Sequence, residues 1–105
     1  MKIYISGKIS GTDLTKTRKR FAAVAKATKR LGYEPVNHLE NGLSEHDSWE
    51  AHMLKDIVDL LQCKAIYMLQ GWQDSKGACI EHYIATKIGM PIMYEIERPI
   101  MDENE

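Results

Sequence analysis

The chain has 105 residues, 44% hydrophobic and 28% charged, with a formal net charge of −1. That is room for one core and not for two, and the near-neutral balance gives no general pull toward nucleic acid or a membrane surface. No apolar run approaches the ~20 residues of a spanning helix and the start lacks a signal-peptide pattern, so a cytoplasmic protein is expected.

The two cysteines, Cys63 and Cys79, share no metal-ligand spacing with the four histidines, which argues for reduced thiols and against structural zinc. Lys2 to Ser6, with Ile3, Tyr4 and Ile5, reads as a buried first strand. It runs into a glycine-bracketed loop, Gly7-Lys8-Ile9-Ser10-Gly11, after which Thr12 or Asp13 caps a helix. Phe21, Val24, Ala25, Thr28 and Leu31 mark the inner face of that helix, and Gly32 ends it. Its other face carries Arg18, Lys19, Lys26, Lys29 and Arg30. Without interleaved aromatics, that basic face reads as solvated and no nucleic-acid polymer is expected as a partner.

Tyr33 to Asn37 makes a second strand, with Pro35 tolerable at an edge. A loop from His38 to His46 contains Asn41-Gly42, and Asp47 with Glu50 resembles a capping box. The next helix runs through Trp49, Met53, Ile57, Leu60 and Leu61 to Gln62. On its wheel Asp56 projects between Trp49 and Ile57, close to Leu60, whereas Asp59 lies off the stripe.

Ala65 to Leu69 is the third strand, delivering the chain through Gly71-Trp72 to Ser75, the expected cap of a further helix. Gly77, at its second position, leaves the helix start open to a ligand. Ile80, Ile84 and Ile88 advance about 40° per four residues at roughly 100° per residue. Glu81 falls inside the arc they define with Ala78 and Ala85. Gly89 and a fourth strand, Pro91 to Ile96, complete one domain over 1–97, followed by an acidic tail over 98–105.

Alternating strands and helices predict an α/β protein, a three-layer sandwich around a short parallel sheet with right-handed crossovers. In such folds ligands sit beyond the carboxyl ends of the strands. The helix bearing Glu81, the Gly7–Gly11 loop and the inward Asp56 can therefore converge on one crevice. Two carboxylates facing a crevice suit work on a glycosidic bond. Glu81 is expected to be ionised, supported by the positive end of its helix and by Lys76, and Asp56 to carry a proton in apolar surroundings. The Gly7–Gly11 backbone, the Ser75 hydroxyl and the Gly77 amide are groups that hold phosphate or sugar hydroxyls. The glycine loop is neither a dinucleotide fingerprint nor a Walker loop, and His52 and His82 read as surface or helix-edge residues.

The chain resembles the nucleoside 2-deoxyribosyltransferase-like family, and within it a group of small DUF4406-type domains. The likeness rests on Tyr4-Ile5-Ser6-Gly7-Lys8-Ile9-Ser10-Gly11, on Trp49, Met53 and Asp56-Ile57, on Leu60-Leu61-Gln62-Cys63, and on Gly71-Trp72, Ser75-Lys76-Gly77-Ala78 and Glu81. It implies a flavodoxin-like sheet of four strands in the order 2-1-3-4 and a double displacement at the deoxyribose anomeric carbon. Glu81 would match the nucleophile, Asp56 the aspartate at the base or leaving group, and Tyr4 the tyrosine that orients the nucleophile. Ser75, Gly77 and the Lys8–Ser10 loop would match the groups around the 5′ end of the sugar, and Trp72 either a lid over the base or a packing residue. The resemblance implies no metal or organic cofactor, a nucleoside or nucleotide as small-molecule partner, and a homo-oligomer. Family enzymes usually continue past the fourth strand into another helix and strand, and Lys64 stands where relatives often place an acidic residue.

Three readings follow. The first is transfer or hydrolysis of the N-glycosidic bond of a 2′-deoxynucleoside or its 5′-monophosphate through a glycosyl-Glu81 ester. The second is a non-catalytic nucleotide-binding or sensing module on the same fold. The third is an assembly domain acting through a sheet edge or helix face.

Overall fold

The computed structural model describes residues 1–40 and 46–96. Asn41-Gly42 and the acidic tail over 98–105 lie outside the described residues. The elements are β1 (Lys2–Ser6), α1 (Leu14–Arg30), β2 (Glu34–Asn37), α2 (Trp49–Leu61), β3 (Ala65–Met68), α3 (Lys76–Lys87) and β4 (Ile92–Tyr94). Short 3-10 turns at His38–Glu40 and Trp72–Asp74 follow β2 and precede α3.

The four strands form one parallel sheet in the order β2-β1-β3-β4, as the resemblance implied. Pro35 is accommodated because β2 is an edge strand. The chain leaves β1 in one direction to reach β2, then crosses back to β3. Right-handed connections therefore put α1 on one face and α2 with α3 on the other. Side-chain alternation along β1 sorts the core accordingly. Ile5 packs with Phe21 and Val24 of α1, whereas Tyr4 packs with Leu60, Ala78 and Ala85 of α2 and α3. Ser6, two residues beyond Tyr4, faces the same side.

Helix starts follow side-chain chemistry. Asp13 accepts from the Lys16 N–H and caps α1. Ser75 accepts from the Ala78 N–H and caps α3. For α2 the cap is Ser48 and not Asp47: the Ser48 hydroxyl accepts from the Ala51 N–H, leaving Asp47 turned toward the crevice.

The buried seam of α3 is Ala78, Glu81 and Ala85. Ile80 and Ile84 are half-buried flanks and Ile88 is exposed. Two alanines let the helix approach the sheet closely, and Glu81 rides at the centre of that contact. In α2 the seam is Met53, Asp56 and Leu60. Leu54, Val58 and Leu61 project from the opposite side and are exposed. No helix among the described residues is long and apolar enough to cross a membrane.

Candidate functional site

A cavity of about 780 Å³ opens where β1 and β3 diverge toward their helices, at the point where strand order reverses. Gly7, Lys8, Ile9 and Ser10 form one wall, with Leu14 and Arg18 of α1 behind them. Trp49, His52, Met53 and Asp56 of α2 form the opposite wall, and Asp74 to Ala78 with Glu81 close the α3 side. Gly7 is required by a close approach: a Cβ there would stand 2.9 Å from Leu69 Cβ. Gly77 is nearly as confined, with Met53 Sδ 3.1 Å from where its Cβ would be.

Glu81 is 2% exposed. The Tyr4 hydroxyl donates to Glu81 Oε2 at 2.9 Å and the Ser6 hydroxyl donates to Oε1 at 2.6 Å. Strand parity explains the pair, since positions 4 and 6 of β1 point to the same face, under α3. Burial raises the Glu81 carboxyl above its usual range, against the pull of His38 and of the Ser6 and Tyr4 hydrogen bonds. This differs from the expectation of a carboxylate held ionised by the helix end and Lys76. Glu81 is the sixth residue of α3, beyond the first turn where the dipole acts. The Lys76 ammonium lies over the Trp49 ring instead, 4.6 Å from its centroid.

Asp56 is 5% exposed, and its Oδ2 lies 3.0 Å from His38 Nδ1. His38 rests between the rings of Tyr4 and Phe21, at centroid distances of 5.5 and 5.3 Å. Burial works against the His38 imidazolium. The Asp56 hydrogen bond and the charges of Glu81 and Asp56 together outweigh it, so its pKa rises above the ordinary histidine value. Among the described residues Nε2 of His38 is buried without a hydrogen-bond partner.

One donor atom from each of His38, Asp56 and Glu81 lies within 4.8 Å of the others. This trio is the set that could hold a cation. Both carboxyl groups are engaged in hydrogen bonds, Glu81 accepting two hydroxyls and Asp56 meeting Nδ1 of the imidazole, while His38 Nε2 is not. The arrangement is that of a hydrogen-bonded acid cluster.

Of the residues singled out in the sequence, Gly7, Lys8, Ile9, Ser10, Asp56, Ser75, Gly77 and Glu81 line the crevice, and Tyr4 lies beneath it against Glu81. Gly11 and Trp72 are not among the lining residues. Gly11 has turned away at φ 77° to start α1. Trp72 stacks on His82 at 4.2 Å, and His82 Nε2 lies 2.7 Å from the Tyr94 hydroxyl. This aromatic stack, with Arg20 donating to the Gln70 carbonyl on the α1 side, fixes the loop that delivers Ser75. His52, expected at a helix edge, is half-buried in the crevice wall.

Ser6 and His38 were missed. The signal for Ser6 was its two-residue spacing from Tyr4, and that for His38 its position just past the carboxyl end of β2.

The family profile described as "Domain of unknown function (DUF4406)" matches residues 1–94. Comparison with curated proteins gives no match. Among solved structures, the chain is similar to a 2-deoxyribosyltransferase from the psychrotolerant bacterium Bacillus psychrosaccharolyticus, studied as a biocatalyst for nucleoside synthesis. The TM-score is 0.71 at 18% identity, covering 93% of this chain and 77% of that one. At this identity the likeness is one of fold. The chain belongs to the DUF4406 family and has a nucleoside 2-deoxyribosyltransferase-like fold.

Proposed function

We propose that the chain cleaves the N-glycosidic bond of a 2′-deoxynucleoside or its 5′-monophosphate by double displacement through an ester on Glu81. The observation that carries this reading is the spacing of the acid cluster. Carboxyl groups about 5–5.5 Å apart serve glycosidases that form a covalent intermediate, whereas about 6.5–9.5 Å leaves room for a water between them. One oxygen of Asp56 and one of Glu81 lie within 4.8 Å of each other, which leaves little room for a water between them and supports the covalent reading.

In the first step a Glu81 oxygen attacks the anomeric carbon as the carbon–nitrogen bond breaks. The bonding pair leaves with the base, which takes a proton from the His38–Asp56 pair. In the second step water or an acceptor base attacks the same carbon, Glu81 departs as carboxylate, and the proton returns to the pair. Tyr4 and Ser6 hold the carboxylate in its attacking orientation; each such bond to a charged group contributes about 1.5–3 kcal/mol. Lys8, Ser10, Ser75 and the Gly77 amide are the groups proposed for the sugar and its 5′ substituent. No cofactor enters the scheme, and the unpaired Cys63 and Cys79 suit a reducing cytoplasm.

Release of free base from deoxynucleosides and deoxynucleotides, with and without an acceptor base, tests the reading. Wild type should release base and Glu81→Gln should not; no release from any substrate would sink it.

The burial of Glu81 supports a second reading. A carboxyl with a raised pKa that stays protonated cannot attack, and the crevice would then bind nucleotides without turning them over. Ligands would raise the melting temperature, no product would form, and Glu81→Gln would bind as wild type does.

Assembly of copies belongs to the same proposal. Leu54, Val58 and Leu61 on the outer side of α2 support it, because an apolar stripe opposite a helix's buried seam is usually covered.

A further inference from the structure

Three donor groups on the crevice floor come from three separate elements. His38 follows β2, Asp56 belongs to α2 and Glu81 to α3, and all three line the cavity. One donor atom from each lies within 4.8 Å of the other two, and His38 Nδ1 and Asp56 Oδ2 are only 3.0 Å apart. Bonds of about 2.0–2.1 Å around a tetrahedral zinc ion place neighbouring ligand atoms roughly 3.4 Å from one another. The His38–Asp56 pair already stands near that spacing, and Glu81 has at most about 1.4 Å to close.

The protein leaves the imidazole able to take a metal. Which ring nitrogen carries a proton is set by the bond the other makes. Among the described residues Nε2 of His38 is buried and makes none, so only Asp56, itself one of the three, holds a proton on Nδ1. A carboxylate has about four lone-pair sites, of which the Tyr4 and Ser6 hydroxyls take two on Glu81. Those hydroxyls are the kind of outer-shell donor that orients a ligating carboxylate. Buried charges are paired or coordinate metals, and a divalent ion balances two carboxylates beside a neutral imidazole.

We propose that His38, Asp56 and Glu81 form a site for a divalent transition ion of the zinc class, and that the ion blocks the reaction by occupying Glu81. One imidazole nitrogen with two carboxylate oxygens suits zinc, whereas calcium takes about six to eight oxygens and magnesium keeps several waters. Three protein ligands leave a fourth position for water, and the crevice is the entry path. The site stands on its own geometry, while the blocking role rests on the nucleoside reading.

Chain stripped with a chelator is titrated with Zn²⁺ alone in a calorimeter and with Co²⁺ alone in a visible spectrometer. One ion should bind per chain. The cobalt form should show the d–d bands of a tetrahedral site without the charge-transfer band of a thiolate, and Zn²⁺ should raise the melting temperature. His38→Gln and Glu81→Gln should each weaken Zn²⁺ binding by more than about 10-fold, the least that loss of an outer-shell partner costs. His82→Gln and Cys79→Ser, neither of which lines the crevice, should bind as wild type does. No binding, or undiminished binding in both floor variants, overturns the site. Should those variants fail to fold, the wild-type cobalt spectrum decides, and octahedral bands or a thiolate band overturn the site. Base release should fall as Zn²⁺ fills the site and return with chelator. Undiminished release from the zinc-loaded chain overturns the blocking role alone. No release even with chelator removes the nucleoside reading and the blocking role with it, and the zinc titration and cobalt spectrum still judge the site.

Discussion

The Ser6 hydroxyl and the Glu81 carboxylate, 75 residues apart in the chain, meet at 2.6 Å in the interior. With Tyr4 on the other oxygen, Ser6 opposes the burial that raises this carboxyl. Ser6→Ala should therefore raise it further. In the proposed scheme activity requires Glu81 ionised and falls as pH drops through its pKa, so the acid limb of the pH–rate profile should move to higher pH. An unmoved acid limb would remove Ser6 from the scheme.

In the proposed scheme the His38–Asp56 pair governs the opposite limb. It must hold a proton to release the base, and Asp56 helps raise the His38 pKa. The rate should fall as pH rises through that value. Asp56→Asn should shift the alkaline limb to lower pH and slow base release by about 10²–10⁴-fold. Steady-state profiles of both proteins measure this.

Glu81 should cost stability. Its folded pKa lies above the unfolded value, so the folded state binds the extra proton. That contribution is fully present below the unfolded pKa and is lost as pH rises through the folded one. Glu81→Gln, free of the titration, should melt above wild type at pH 8, and the gap should close toward pH 4. For a chain of this size each 1 kcal/mol corresponds to about 4–8 °C. Thermal melts across pH read the result.

Trp72 packs between the Ser75-bearing loop, α3 and β4 and does not reach the crevice. Trp72→Leu should lower stability by about 1–2 kcal/mol through loss of the stacked contact with His82, while base release stays within a few-fold of wild type. Denaturant melts and the activity assay separate the two effects.

The outer stripe of α2 predicts an assembly that Val58→Asp disrupts. Sedimentation should show a smaller species for the variant with an unchanged fold. A wild-type monomer at all concentrations would contradict the assembly proposal.

Much of this was legible in the residues. Lys2 to Ser6 was legible as a buried strand from Ile3, Tyr4 and Ile5, with the boundaries found, whereas the strand order came from the family resemblance. Asp56 and Glu81 were visible as charges on inward arcs. The seam of α3 was harder. Its isoleucines suggested an apolar stripe, but the closest contact with the sheet is made by Ala78 and Ala85, which hydrophobicity alone undervalues. His38 and the two tryptophans depend on side-chain directions at loop and helix starts, which no periodicity encodes. Trp72 follows the carboxyl end of β3, where ligands gather, yet its ring is captured by His82. Trp49, placed on the inner stripe of its helix, lines the crevice and stays partly exposed.

The ester on Glu81 is the centre of this account, and intact-protein mass spectrometry after exposure to a 2-fluorinated deoxynucleoside addresses it directly. Wild type should gain the mass of one fluorinated sugar, mapped to the peptide bearing Glu81, and Glu81→Gln should gain nothing. Release of base from the fluorinated compound with no adduct on the protein, or an adduct that persists in Glu81→Gln, would contradict it.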